Sequence, residues 1–97
     1  MGRHVYIVSY DIADDRRRTR VYQYLRGWGD HLQWSVFRLV LSNPDVARVR
    51  AGLHGLVQHR EDQVILFNLG PEEGRALGSV ESIGVPYTHP ERHAIVV

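Results

Sequence analysis

Ninety-seven residues carry a net charge of +1, with 43% hydrophobic and 24% charged positions and no cysteine. A chain of this length makes one domain with a single two-layer core, so a deep active site has to be shared with a partner. The missing cysteine excludes a disulfide framework and thiol chemistry, and with no cysteine the six scattered histidines argue against zinc.

No apolar run approaches the ~20 residues of a membrane span, and no charged-then-apolar leader precedes Val5, so the chain reads as cytoplasmic and not membrane-bound. All twelve basic residues are arginines, and four of them fall between Arg16 and Arg20. That local density points to a phosphate-bearing ligand more than the total charge does, although an arginine-biased or heat-adapted genome gives the same composition.

The first predicted element is the strand Val5 to Ile12. Val5, Ile7 and Ser9 share one face and Tyr6, Val8 and Tyr10 the other, so both faces are largely apolar and the strand is expected to be central. Asp11 ends it at the rim of the sheet. A carboxylate there can hold a divalent cation, while guanidinium groups one helical turn on hold the phosphate.

Asp14 or Asp15 then caps a helix whose apolar positions Val21, Leu25 and Trp28 recur at helical spacing and which closes at Gly27 or Gly29. Arg16, Arg17 and Arg20 lie mostly off the apolar stripe. Arg18 sits near its edge, closest to the Asp11 end.

His31 to Leu41 reads as a second strand whose alternation slips at Val36-Phe37, the mark of a β-bulge or sharp bend that aims Ser35, Phe37 or both at something. Ser42-Asn43-Pro44-Asp45 starts a second helix, with Val46, Val49, Leu53, Leu56 and Val57 on one face, ending near His59-Arg60. Asp62 to Leu69 is apolar on both faces and reads as a further central strand. After the turn Gly70 to Gly74, Ser79 to Ile83 alternates well enough for another strand.

Read one by one the elements run βαβαββ, yet the order is taken as βαββαβ, an α+β ferredoxin-like sandwich with a four-stranded antiparallel sheet, both helices on one face and the other face bare. Residues 1–84 form that core. Residues 85–97 are a linker held extended by Pro86 and Pro90, followed by the apolar segment His93 to Val97, an extra C-terminal strand in search of an edge. Bare face and tail together call for a homodimer packed sheet to sheet.

Such a dimer brings two copies of Asp11 together, so that one carboxylate per chain becomes a pair able to bind Mg²⁺ or Mn²⁺ for phosphodiester hydrolysis, with Arg18 and Arg20 on flanking phosphates. Tyr10 can stack on a base or pack in the core, and its apolar flanks favour packing. Ser35 either donates a hydrogen bond at the bend or only accommodates it. Phe37 and Trp34 are expected as core or dimer contacts.

Ser9-Tyr10-Asp11-Ile12-x-Asp14-Asp15-x-Arg17-Arg18, then Gln33-Trp34-Ser35-Val36-Phe37 and Asp62-Gln63-Val64, resemble the CRISPR-associated Cas2 family in order and spacing over almost the whole chain. The resemblance implies a ferredoxin-like homodimer with Asp11 as the metal-binding acid at the interface. It implies Mg²⁺-dependent cutting of single-stranded RNA or duplex DNA, and a part in spacer acquisition, where the dimer bridges integrase subunits and its basic surface grips DNA.

By position, the resemblance makes Asp11 the catalytic residue. Tyr10, Arg17, Arg18, Arg20 and His31 form the nucleic-acid-binding set, with Ser35 and Phe37 in support. His31 stands where the family commonly has arginine, which makes charge at that point depend on pH. Two other readings remain: a DNA-binding adaptor that bridges integrase dimers without cutting, and a toxin-like ribonuclease or regulatory RNA-binding module with aromatic platforms on the open sheet face.

Overall fold

A computed structural model describes residues 2–87. Strand β1 (His4–Asp11) leads to helix α1 (Asp15–Arg26), then strands β2 (Gly29–Gln33) and β3 (Val36–Leu41), helix α2 (Asn43–Leu56) and strand β4 (Gln63–Pro71), followed by a short 3₁₀ turn at Leu77–Ser79. The sheet order is β2-β3-β1-β4, and every neighbouring pair is antiparallel. This is the ferredoxin-like βαββαβ arrangement, but two of its strands are not where the sequence placed them.

The stretch His31 to Leu41 holds two strands, not one bent strand. Gln33 pairs with Val36 across a two-residue turn at Trp34-Ser35, and the register shifts between His31 and Gln33. The parity slip was therefore a chain reversal. With the hairpin counted, Gln63–Pro71 completes the sheet, and Ser79 to Ile83 forms no strand, only the end of the 3₁₀ turn and irregular backbone that bends at Ile83.

Local signals set both helices. The Asp14 carboxylate accepts from the Arg17 N–H at 2.9 Å, and the Ser42 hydroxyl accepts from the Asp45 N–H at 3.3 Å, each satisfying an otherwise unpaired donor of the first turn. Tyr24 of α1 lies over Gly52 of α2, where a Cβ would collide with the ring, and donates its hydroxyl proton to the Arg48 carbonyl at 3.2 Å. Glycine lets the helices approach there.

Tyr6, Val8, Tyr10 and Ile12 of β1 and its end meet Val21 and Leu25 of α1, Phe37, Leu39 and Leu41 of β3, and Val46, Val49 and Leu53 of α2 in one buried cluster. Trp28, just past α1, packs against it as its spacing suggested. β1 is central as expected. β4 is an edge strand, contrary to expectation: Val64 and Leu66 pack on the core, while Ile65 and Phe67 of the other parity remain 41% and 48% exposed.

The face away from the helices is not wholly bare. Over β2 and β3 it meets residues 80–87, with Leu32, Gln33 and Val36 facing Val80, Ile83 and Tyr87 across a shared cavity. Arg38, opposite Ile7 in the register, is held by Asp30 at 3.2 Å and by the Tyr87 hydroxyl at 3.1 Å. Ile7, Ser9 and Asp11 of β1 with Ile65 and Phe67 of β4 make up the other half of that face, by alternation and register. The tail segment His93 to Val97 lies outside the described residues.

Candidate metal and nucleic-acid site

Asp11 closes β1 opposite Gln63, exposed, and its carboxylate meets no hydrogen-bond donor or cation among the described residues. The segment behind it is pinned from three sides. The Ile12 carbonyl accepts from Arg18 Nη2 at 3.0 Å, the Ala13 N–H donates to Asp62 Oδ1 at 2.9 Å, and Asp14 caps α1. Asp11 thus projects from a fixed platform, with apolar Ile7, Ile65 and Phe67 further along the same face.

Arg17 does not join a phosphate surface. Its Nε donates to Asp62 Oδ2 at 2.7 Å and its Nη2 to Asp62 Oδ1 at 3.0 Å and to Glu61 at 3.1 Å. Asp62, whose side chain has no solvent exposure, also accepts the Gln58 N–H at 2.8 Å. The Arg17 guanidinium holds the Asp62 carboxyl far below the ordinary carboxylate range despite the opposing effect of burial, and Asp62 in turn raises Arg17. The charge expected to grip nucleic acid is committed to a fold contact.

Arg18 and Arg20 stand differently. Arg18 donates from Nη1 to the exposed Asp15 at 2.7 Å and from Nη2 to Ile12, leaving the rest of its guanidinium for other acceptors. Arg20 is exposed and makes no ion pair among the described residues.

Alternation sends Tyr10 to the face opposite Asp11. Tyr10 is buried, stacks on Phe37 at 6.3 Å, and its hydroxyl points at the Trp34 carbonyl 3.5 Å away, so it packs, and burial pushes its phenol up. Phe37 is fully buried and meets Tyr22 at 5.6 Å and His31 at 4.8 Å. It is core and is aimed at no ligand. Ser35 lies in the hairpin turn, where its carbonyl accepts from the Tyr10 N–H at 3.1 Å, and its hydroxyl makes no hydrogen bond among the described residues. Trp34, expected in the core or an interface, is 75% exposed at the hairpin tip.

The expected site residues are therefore divided by the sheet. Asp11 faces the open side. Tyr10, Arg18 and His31 line a cavity of about 470 Å³ on the helix side, together with Tyr22 and Trp34. The sequence reading gave no role to Asp62 or Tyr22: Asp62 was visible as the start of a strand and within the Asp62-Gln63-Val64 motif, and Tyr22 was not singled out.

No three metal-ligating side chains converge among the described residues. One copy offers a single carboxylate at Asp11, and Mg²⁺ is commonly held by one or two carboxylates with waters and substrate phosphate completing its shell. Two copies meeting through the face that carries Asp11 supply a carboxylate pair, and oxygen donors suit either ion.

The family model described as CRISPR associated protein Cas2 matches residues 4–75. The chain is 38% identical over 94 residues to a protein of Geobacter sulfurreducens named CRISPR-associated endoribonuclease Cas2, covering 97% of this chain and 98% of that one. Among solved structures it is similar to a hypothetical protein from Thermus thermophilus, with TM-score 0.74 and 30% identity over 88% of this chain and 95% of that one. A chain in a partial Cas6-RT-Cas1–Cas2 complex has the same fold, with TM-score 0.66 and 21% identity over 82% of this chain and 90% of that one.

Proposed function

Because the chain belongs to the CRISPR-associated Cas2 family, we propose that it acts in CRISPR immunity as a homodimeric, metal-dependent endonuclease. One observation carries this reading. An exposed Asp11, without a partner among the described residues, stands on the same sheet face as the exposed Ile65 and Phe67, whereas the enclosed Asp62 side chain is met by Arg17. Apolar area left in water beside a lone acid suits a surface that a second copy covers.

Mg²⁺, or Mn²⁺, held between the two Asp11 carboxylates would activate a water and neutralise charge on a phosphodiester. The chain's own residues do the rest. Asp11 supplies the carboxylate from a platform fixed by Arg18, Asp62 and the α1 cap, and Ile7, Ile65 and Phe67 exclude water between the copies. Arg20 holds a flanking phosphate as a charge-assisted hydrogen-bond donor, and Arg18, on the helix side, one farther along the strand. The relative named an endoribonuclease supports RNA as substrate; duplex DNA is the other arm of the test.

Labelled single-stranded RNA and duplex DNA are incubated with wild type and Asp11→Ala, with Mg²⁺, with Mn²⁺ and with chelator. Metal-dependent cutting that disappears in Asp11→Ala supports the reading, and equal cutting by the variant overturns it.

A second reading draws on the neighbour in the Cas1-containing complex. The dimer serves spacer acquisition as an adaptor that binds DNA and an integrase, with residues 94–97 as the contact. Deleting them then abolishes integrase binding while Asp11→Ala leaves it intact.

A further inference from the structure

The cavity between α1 and the β2–β3 hairpin has no part in the Asp11 chemistry, since it opens on the other side of the sheet. Tyr22 and His31 meet edge to face at 5.1 Å, and Trp34 stands over the rim. The Trp34 ring makes no ring contact of its own among the described residues, and an indole this exposed offers a large flat apolar surface to whatever lies against it.

Arg18 sits on the same rim. Two of its five N–H groups are used, one by the Ile12 carbonyl and one by Asp15, whose side chain is 92% exposed. A solvated pair of that kind contributes little and yields readily to a stronger anion. The cavity therefore offers flat rings beside an available guanidinium, and its volume of about 470 Å³ is within the range of small-ligand sites.

Resting on the reading that this chain binds nucleic acid, we propose that the cavity is a nucleotide site. It takes one unpaired unit of a single strand, the base against Trp34 and the Tyr22–His31 wall and the phosphate on Arg18. Bases in a duplex are stacked and present only their edges in the grooves, so a pocket lined by aromatic side chains takes a base only from a single strand or a flipped position. Stacking tolerates any base, because every base has a flat face. The site is thus an anchor with little sequence preference, on the side of the sheet away from the metal. The sequence reading tied aromatic platforms on the open face only to the RNA-binding-module alternative; here the rings lie on the other side of the sheet.

The test uses tryptophan emission with chelator present, so that no strand is cut. Wild type, with Trp28 and Trp34, and Trp34→Phe, with Trp28 alone, are titrated with a five-nucleotide RNA, the same DNA strand and the corresponding duplexes. Anisotropy of labelled strands is followed in parallel. Quenching by either single strand in wild type, absent in Trp34→Phe and absent with duplex, supports the site; the strand that quenches identifies the sugar. Trp34→Ala and Arg18→Ala are each expected to weaken single-strand binding about tenfold.

Single strands that bind by anisotropy while Trp34 emission stays unchanged overturn the pocket and leave the nucleic-acid reading standing. No binding by either readout overturns both. Equal quenching by duplex also overturns the site, as does a Trp34 emission change on protein dilution without nucleic acid, which would place a second copy over the pocket.

Discussion

Asp62 and Arg17 form a two-point bridge, Nε to Oδ2 at 2.7 Å and Nη2 to Oδ1 at 3.0 Å, and the same carboxylate accepts the N–H groups of Ala13 and Gln58. One acid thereby ties α1, the segment after Asp11 and the turn before β4 into a single unit. Its loss leaves two backbone donors and a guanidinium without their acceptor. Asp62→Ala is expected to destabilise the fold by about 2 kcal/mol, lowering Tm on the order of 10 °C. Thermal melts at neutral pH check it.

The same bridge makes stability depend on acid. The folded Asp62 carboxyl is held below its ordinary value of 3.8, so its contribution is complete above that value and declines as pH falls below it. Wild-type Tm should therefore drop as pH falls from about 4 toward 2, and the drop should be shallower in Asp62→Asn. Melts across that window, compared between the two proteins, give the answer.

Arg17 and Arg20 lie three positions apart on α1 and are expected to behave oppositely. Arg20→Ala should lower nucleic-acid affinity and reduce the salt slope by roughly 0.7 for a single strand or 0.9 for a duplex, with Tm unchanged. Arg17→Ala should lower Tm and leave the slope as it was. Binding measured at several salt concentrations separates them.

Phe67 tests the dimer. It is 48% exposed on an edge strand, on the face that also carries Ile65. Placing a carboxylate in an apolar contact costs several kcal/mol, so Phe67→Glu should weaken self-association about a hundredfold or more. Sedimentation equilibrium measures this directly, and metal-dependent cutting should fall with it.

Phe37, by contrast, serves the fold. Fully buried against Tyr22 and His31, it should cost about 3 to 5 kcal/mol as Phe37→Ala and much less as Phe37→Leu. Denaturant unfolding of the two variants should show that order, with any activity loss in Phe37→Leu tracking the unfolded fraction.

What the sequence made legible was local. Caps at Asp14 and Ser42 and the apolar periods behind them specify both helices, and the two-sided apolar pattern of β1 marks a central strand. The hairpin escaped because Trp34-Ser35 contains neither glycine nor asparagine, and no described residue other than glycine has positive φ; the parity slip was its only trace. The edge position of β4 escaped because Ile65 and Phe67 look buried in sequence, which cannot distinguish cover by the same chain from cover by another.

Asp11 was legible as the carboxylate ending a central strand, but its neighbours were not. Telling Arg17 from Arg18 required knowing that Asp62, 45 residues further on, lands beside the first of them. Likewise Tyr10 and Asp11 are adjacent in sequence and diverge in space, because one residue of a strand is enough to change faces.

The central claim is that two Asp11 carboxylates form one metal site. Titration of the protein with Mn²⁺, following the free-ion electron paramagnetic resonance signal, counts the ions bound per chain. One Mn²⁺ per two chains, lost in Asp11→Ala and lost in Phe67→Glu at concentrations where it is monomeric, is the predicted result. Binding of one ion per chain that survives in the monomer, or a stoichiometry unchanged by Asp11→Ala, would contradict it.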